Sequence, residues 1–183
     1  NADEACCDFG NTGVDDVGYL GGLIDEVKAA YPVGDVFVVG HSNGGYMAYR
    51  MACERADAIS AIISLAGNAA TTPANCQPSQ PVSVLHLHGT ADATVPFAGT
   101  AGASSSVQQW MSHDTCGTAR TPDVPSLDLE TSIVGAETTR EHADGCPAGI
   151  GVELWAIEGG SHIPNFAATF GATLFQWLTD HAR

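Results

Sequence analysis

The chain has 183 residues, with 21 Asp and Glu against six Lys and Arg, a formal charge of −15. Such a surface repels phosphate backbones and anionic lipid, which argues against nucleic acid or a membrane as partner and for a neutral or cationic one. With 44% apolar and 15% charged residues, the composition is that of a folded chain, and the length fits one domain over residues 1–183.

No apolar run reaches the length of a membrane-spanning helix. Cys6, Cys7, Cys53, Cys76, Cys116 and Cys146 form no C-x-x-C pair and no Cys/His cluster at zinc spacing, so neither a metal nor another cofactor is expected. Their even number predicts up to three disulfides in an exported, extracellular protein. Adjacent Cys6 and Cys7 are awkward to join to each other and are expected to diverge to different partners. The sequence opens at Asn1 with neither an initiator Met nor a signal peptide, which suggests a processed or trimmed form.

In chain order, "VDDVGYLGGLIDEVKAAYP" places Val14, Val17, Leu20, Leu23, Ile24 and Val27 at helical spacing and closes at Pro32. Asp15 and Asp16 favour its N-terminus. "DVFVVG" reads as a buried strand of a parallel sheet, and "YMAYRMACER" as a second helix. "AISAIISLAG" reads as another buried strand, with its alanines leaving a helix as the alternative, and the proline-rich "TTPANCQPSQP" reads as loop. "VSVLHLHG" is a strand ending at Gly89, and "TAGASSSVQQWMSHDTC" turns helical in its second half. Residues 117–147 read as a hairpin or excursion with exposed polar residues. "GVELWAIEGG" is the last strand and "FAATFGATLFQWLTDH" the last helix. This alternation predicts an α/β fold with a mostly parallel sheet and helices on both faces.

Between the first strand and the second helix, Gly40-His41-Ser42-Asn43-Gly44 fits G-x-S-x-G, in the strand–turn–helix setting that a nucleophile elbow requires. Gly40 and Gly44 are expected to remove side chains where strand and helix approach. Asn43 offers its backbone N–H to a developing oxyanion. A nucleophilic serine needs a base, and the base an orienting carboxylate, both just past the ends of later strands. Asp92 lies three residues beyond Gly89, and His162 follows the Gly159-Gly160 turn. Ser42, Asp92, His162 is the chain order expected of an α/β-hydrolase.

Glu158, at the same strand exit as His162, is the main rival to Asp92. Asp123, Asp128 and Asp144 follow no clear strand. His86 and His88 read as structural, one facing the core and one a helix layer; His113 and His142 read as surface. His41 is expected to shape the elbow beside any substrate. Phe97 follows the Asp92 loop and Phe166 the His162 loop, positions suited to contact an acyl or aromatic group. Trp110 and Trp155 read as core, and Tyr46 is a further aromatic candidate.

The stretches "VDDVGYLGGLIDEV", "VFVVGHSNGGYMAYRMAC", "VLHLHGTADATVPF" and "GGSHIPNF" resemble the secreted polyhydroxybutyrate depolymerase and feruloyl esterase group of α/β-hydrolases, related to acetylxylan esterases. The resemblance covers most of residues 6–181. It implies a serine carboxylic-ester hydrolase acting on short-chain polyesters, hydroxycinnamoyl esters or acetylated xylan, with Ser42 as nucleophile, Asp92 as acid and His162 as base. It also implies a Cys116–Cys146 disulfide, with Cys6 and Cys7 pairing to Cys53 and Cys76 in an order it leaves open. One departure stands out. Members of the group begin with several further strands and a His-Gly loop that supplies a second oxyanion N–H. No matching sequence is present here, so the expectation is either a fragment with a missing N-terminal segment or a minimal hydrolase using another N–H near Phe9 to Thr12. A serine peptidase with the same triad is the enzymatic rival. A non-catalytic hydrolase-fold fragment or binding module is the rival of a different class.

Overall fold

The computed structural model describes residues 6–8, 10 and 12–183. Its elements in order are α1 (Asp16–Ala30), β1 (Phe37–His41), α2 (Asn43–Glu54), β2 (Ala61–Leu65), a 3₁₀ turn (Pro73–Asn75), β3 (Ser83–Gly89), α3 (Ala103–His113), β4 (Arg120–Leu127), β5 (Thr138–Ala143), β6 (Val152–Ile157) and α4 (Phe170–Asp180). The sheet order is β1-β2-β3-β6-β5-β4. Strands β1, β2, β3 and β6 run parallel, and the β4–β5 hairpin adds antiparallel to β6. The 117–147 segment is thus an extension of the sheet.

Period-two alternation sorts side chains to the two faces. From β2 and β3, Ile62 and Val84 join Met47, Met51, Val107, Trp110 and Met111 under α1, α2 and α3. Ile63, Leu85 and Leu87 point the other way and pack with Trp155, Ile157, Leu174, Trp177 and Leu178 of β6 and α4. This is the α/β-hydrolase arrangement expected from the pattern. Trp110 and Trp155 are both core residues, 0% and 2% exposed. In α1, Asp15 caps Gly18 N–H at 2.8 Å, but only Val17 and Gly21 are buried. Val14, Leu23 and Val27 of the predicted apolar stripe are exposed.

His86 and His88 correct one expectation: two residues apart on β3, they share a face and are both fully buried. The disulfides correct another. Cys53, in the last turn of α2, pairs with Cys76 just after the 3₁₀ turn, with 5.4 Å between their Cα atoms, a span that a disulfide bridges. Cys6 and Cys7 are therefore not their partners, and the structure pairs them with each other. Cys116 joins Cys146.

Asp114, at the end of α3, is fully buried. Its Oδ1 accepts Val82 N–H at 3.1 Å, while Oδ2 has no partner among the described residues. Burial pushes this carboxyl up to about 7, although the Val82 N–H and Arg183 oppose the rise. Because the folded pKa lies above the unfolded 3.8, the stability this group contributes is complete below about 4 and is lost as pH rises through about 7. The difference corresponds to about 4 kcal/mol at alkaline pH. Asp114→Asn keeps the acceptor for Val82 and removes the charge. Thermal melts should show it several degrees more stable than the parent at pH 8.5, with the advantage shrinking as pH falls and gone only by about pH 4.

Candidate active site

The elbow is built by close approach of backbones. Ser42 follows β1 with φ 55° and ψ −118°, and α2 begins at the next residue. Its N–H is anchored to the Leu65 carbonyl at 2.8 Å, and its own carbonyl accepts Tyr46 N–H at 3.1 Å. A Cβ at Gly40 would run into the Gly44 carbonyl, so this position is fixed as glycine. A Cβ at Gly44 itself would meet open space. The second tight glycine is Gly45, where a Cβ would lie 2.7 Å from Ser64 Oγ and 3.0 Å from Gly67. The elbow thus presses against β2 through Gly45, one residue past the motif. As the first residue of α2, Asn43 has an N–H without an acceptor inside the helix, directed by the helix dipole toward negative charge.

The three expected residues meet. Ser42 Oγ–H donates to His162 Nε2 at 2.9 Å, and His162 Nδ1–H donates to Asp92 Oδ2 at 2.7 Å. Asp92 lies in the loop after β3 and His162 in the loop after β6. The loops are tied together by Ala91 N–H to the Gly160 carbonyl at 2.9 Å and Thr90 N–H to the Ile157 carbonyl at 3.0 Å. The Asp92 side chain is wholly buried, while that of His162 keeps 15% exposure. Asp92 Oδ1 accepts the N–H groups of Thr94 at 2.7 Å and Val95 at 2.9 Å. Burial alone would raise its pKa, but the hydrogen bonds from His162, Val95 and Thr94 outweigh it and hold the carboxyl below its usual range. Asp92 is therefore ionised wherever histidine can act as a base.

His41 holds the base by its backbone: its Nε2–H donates to the His162 carbonyl at 2.7 Å. Glu130 holds the far side of the same loop. Its Oε1 accepts Asn165 N–H at 2.9 Å, and Glu130 bridges Phe166 across a short antiparallel contact. Nothing in the spacing around Glu130 signals this role, because the contact crosses 35 residues. The rival carboxylates lie elsewhere: Glu158 accepts from Thr90 and Thr139 hydroxyls at 3.5 Å, and Asp123 pairs with His142 at 3.0 Å. Phe97 packs edge-on to His88, with ring centroids 5.6 Å apart, and Phe166 stacks on Phe170 at 3.6 Å. Both rings thus have partners within the protein. Burial raises the Tyr46 phenol above its ordinary pKa. Of the stretch expected to offer a second oxyanion N–H, Phe9 and Asn11 lie outside the described residues.

Solved structures with this fold include an acetyl xylan esterase from Aspergillus awamori, 14% identical, with a TM-score of 0.62 over 90% of this chain and 67% of that one. In sequence, the chain is 27% identical over 189 residues to NocK of Nocardia uniformis subsp. tsuyamanensis, a protein named as an esterase, covering 86% of this chain and 53% of that protein. It is 31% identical over 121 residues to a protein of Aspergillus clavatus named probable feruloyl esterase C, covering 64% and 42%. The chain spans about half the length of the curated relatives it matches. Residues 15–125, from the cap of α1 through the elbow and the Asp92 loop, match the model of the phospholipase/carboxylesterase family, and the chain belongs to that family.

Proposed function

We propose that the chain is an exported serine carboxylic-ester hydrolase that forms an acyl-enzyme on Ser42. One observation carries this reading: the unbroken hydrogen-bond path from Ser42 Oγ through His162 to Asp92. As Ser42 Oγ attacks the ester carbonyl, His162 Nε2 takes its proton and Asp92 stabilises the imidazolium. The Asn43 N–H faces the developing oxyanion. His162 then returns the proton to the departing alcohol and activates water to release the acid. The names of relatives, feruloyl esterase C and acetyl xylan esterase, together with the resemblance to polyhydroxybutyrate depolymerases, support plant cell-wall or polyester substrates. Two disulfides between distant segments support an extracellular setting.

The test is hydrolysis of p-nitrophenyl acetate, followed by methyl ferulate and a polyhydroxybutyrate film. The chain should turn over the nitrophenyl ester and lose that activity in step with a single organophosphorus adduct on Ser42. Turnover with the adduct on another residue would reject the mechanism. Absence of both turnover and adduct would point to a binding module that retains the hydrolase fold.

A further inference from the structure

Behind the triad lies a second hydrogen-bonded path. Asp92 Oδ2, which accepts from His162, also faces His88 Nε2 at 3.1 Å. His88 Nε2 is equally 3.1 Å from the Val95 carbonyl. On its other side, His88 Nδ1 is 3.0 Å from His86 Nε2, and His86 Nδ1 is 2.8 Å from the Tyr49 hydroxyl. Tyr49, His86 and His88 are 3%, 0% and 0% exposed.

The carbonyl of Val95 fixes the direction of every proton. A carbonyl and a carboxylate can only accept, so His88 Nε2 carries hydrogen. A neutral ring then offers Nδ1 as an acceptor, so His86 Nε2–H donates to it. His86 Nδ1 in turn accepts the Tyr49 O–H. Burial draws both histidines below their ordinary pKa, which keeps the rings neutral. Each proton points toward Asp92, and with His88 the carboxylate receives four donors, one for each lone-pair direction.

We infer that Tyr49, His86 and His88 form a directed chain that positions the Asp92 carboxylate and moderates its pull on the proton of His162. None of the three touches Ser42, so they are positioning residues, and their effect on rate rests on the ester-hydrolase reading. The His88 N–H pins the rotation of the carboxylate and draws charge from the oxygen that His162 uses. Removing it leaves a more basic oxygen that favours protonated His162, so the acid limb of kcat/KM moves to higher pH. The titratable groups facing this cluster are Asp92 from the loop after β3, His162 from the loop after β6 and, beside Asp92, Tyr46 from α2, while His41 at the end of β1 lies against His162. Glu158, at the β6 exit, is engaged by Thr90 and Thr139. From α3 the neighbour is Trp110, whose ring lies 5.9 Å from Tyr49.

Two measurements test the chain. In the native protein, long-range ¹H–¹⁵N spectra should show His86 and His88 as Nε2–H tautomers from pH 6 to 8. An Nδ1–H tautomer at His88 would overturn the inference. This readout needs no turnover, so it separates failure of the chain from failure of the ester-hydrolase reading. The second is the pH profile with p-nitrophenyl acetate. His88→Met fills similar volume without a donor and should lower kcat about 10- to 100-fold at unchanged KM, moving the acid limb up by about half a pH unit or more. His88→Gln restores an N–H near the Nε2 position and should return the limb to its original place. Tyr49→Phe, which loses only one hydroxyl, should move the limb in the same direction as His88→Met by a smaller amount, and it serves if His88→Met does not fold. A folded His88→Met or Tyr49→Phe variant with an unmoved acid limb would reduce the chain to core packing, as would a Gln variant that behaves like Met.

Discussion

Ser42→Ala should lower kcat for ester hydrolysis by about a million-fold, the order seen when a triad serine is lost, and Ser42→Gly should lower it equally. The two variants differ in stability. Ser42 holds φ at 55° and ψ at −118°, a region that side-chain-bearing residues rarely occupy and that costs about 1–3 kcal/mol. Alanine inherits that cost because it keeps a Cβ. Glycine removes it and gives back about 0.5–1 kcal/mol in unfolded-chain entropy. The Gly variant should therefore melt at or above the Ala variant, by up to a few degrees for a chain of this size. The strain serves the reaction: it lifts Oγ off the end of β1 to within 2.9 Å of His162 while Leu65 and Tyr46 clamp the backbone on both sides. Single-turnover kinetics with thermal melts of the three proteins check both halves. Retained turnover in either variant would remove Ser42 as nucleophile, and a Gly variant less stable than Ala would show that the elbow is not strained.

The triad was legible because each of its parts is announced locally. A small-residue turn between an apolar strand and a helix marks Ser42. Asp92 and His162 each follow a strand exit and a glycine turn, and an open sheet collects strand exits at one edge. What stayed hidden depends on contacts across the sheet. The need for glycine at position 45 comes from Ser64 and Gly67 on the neighbouring strand and its exit loop, so the G-x-S-x-G pattern pointed to Gly44 instead. Glu130 grips the His162 loop from the β4–β5 connection, a segment that reads as polar surface. The pairing of Cys53 with Cys76 depends on how the end of α2 lies beside the loop after β2, which spacing does not encode. His86 and His88 were two steps apart on a strand, so their common face was readable from period alone. Their link to Asp92 was not, since it required the β3 exit loop to fold the carboxylate back onto its own strand.

Removing the Cys116–Cys146 disulfide is expected to have the largest effect on stability. The bond closes a loop with a sequence separation of 30, worth about 3–4 kcal/mol in unfolded-chain entropy. A substantial share of a domain's usual 5–15 kcal/mol is therefore at stake. At about 2–4 °C per kcal/mol, a Cys116→Ala, Cys146→Ala double variant should melt roughly 6–16 °C lower. The native fold itself should persist at room temperature, because the base of the hairpin is also closed by Gly117 N–H to Asp144 at 2.7 Å and Asp144 N–H to Ala119 at 3.0 Å. The consequence for activity follows from what the hairpin carries. β5 is hydrogen-bonded along β6, which delivers His162, and the β4–β5 connection places Glu130 against Asn165 of the His162 loop. Loosening the hairpin should free that loop before the parallel core of β1, β2 and β3 gives way. On warming, the double variant should lose ester hydrolysis several degrees below its melting midpoint, while the parent loses both together. Non-reducing peptide mapping should recover Cys116 and Cys146 in one linked peptide. Free thiols at both positions in the native protein, or a double variant with an unchanged melting point, would reject the cross-link as the clamp on the hairpin.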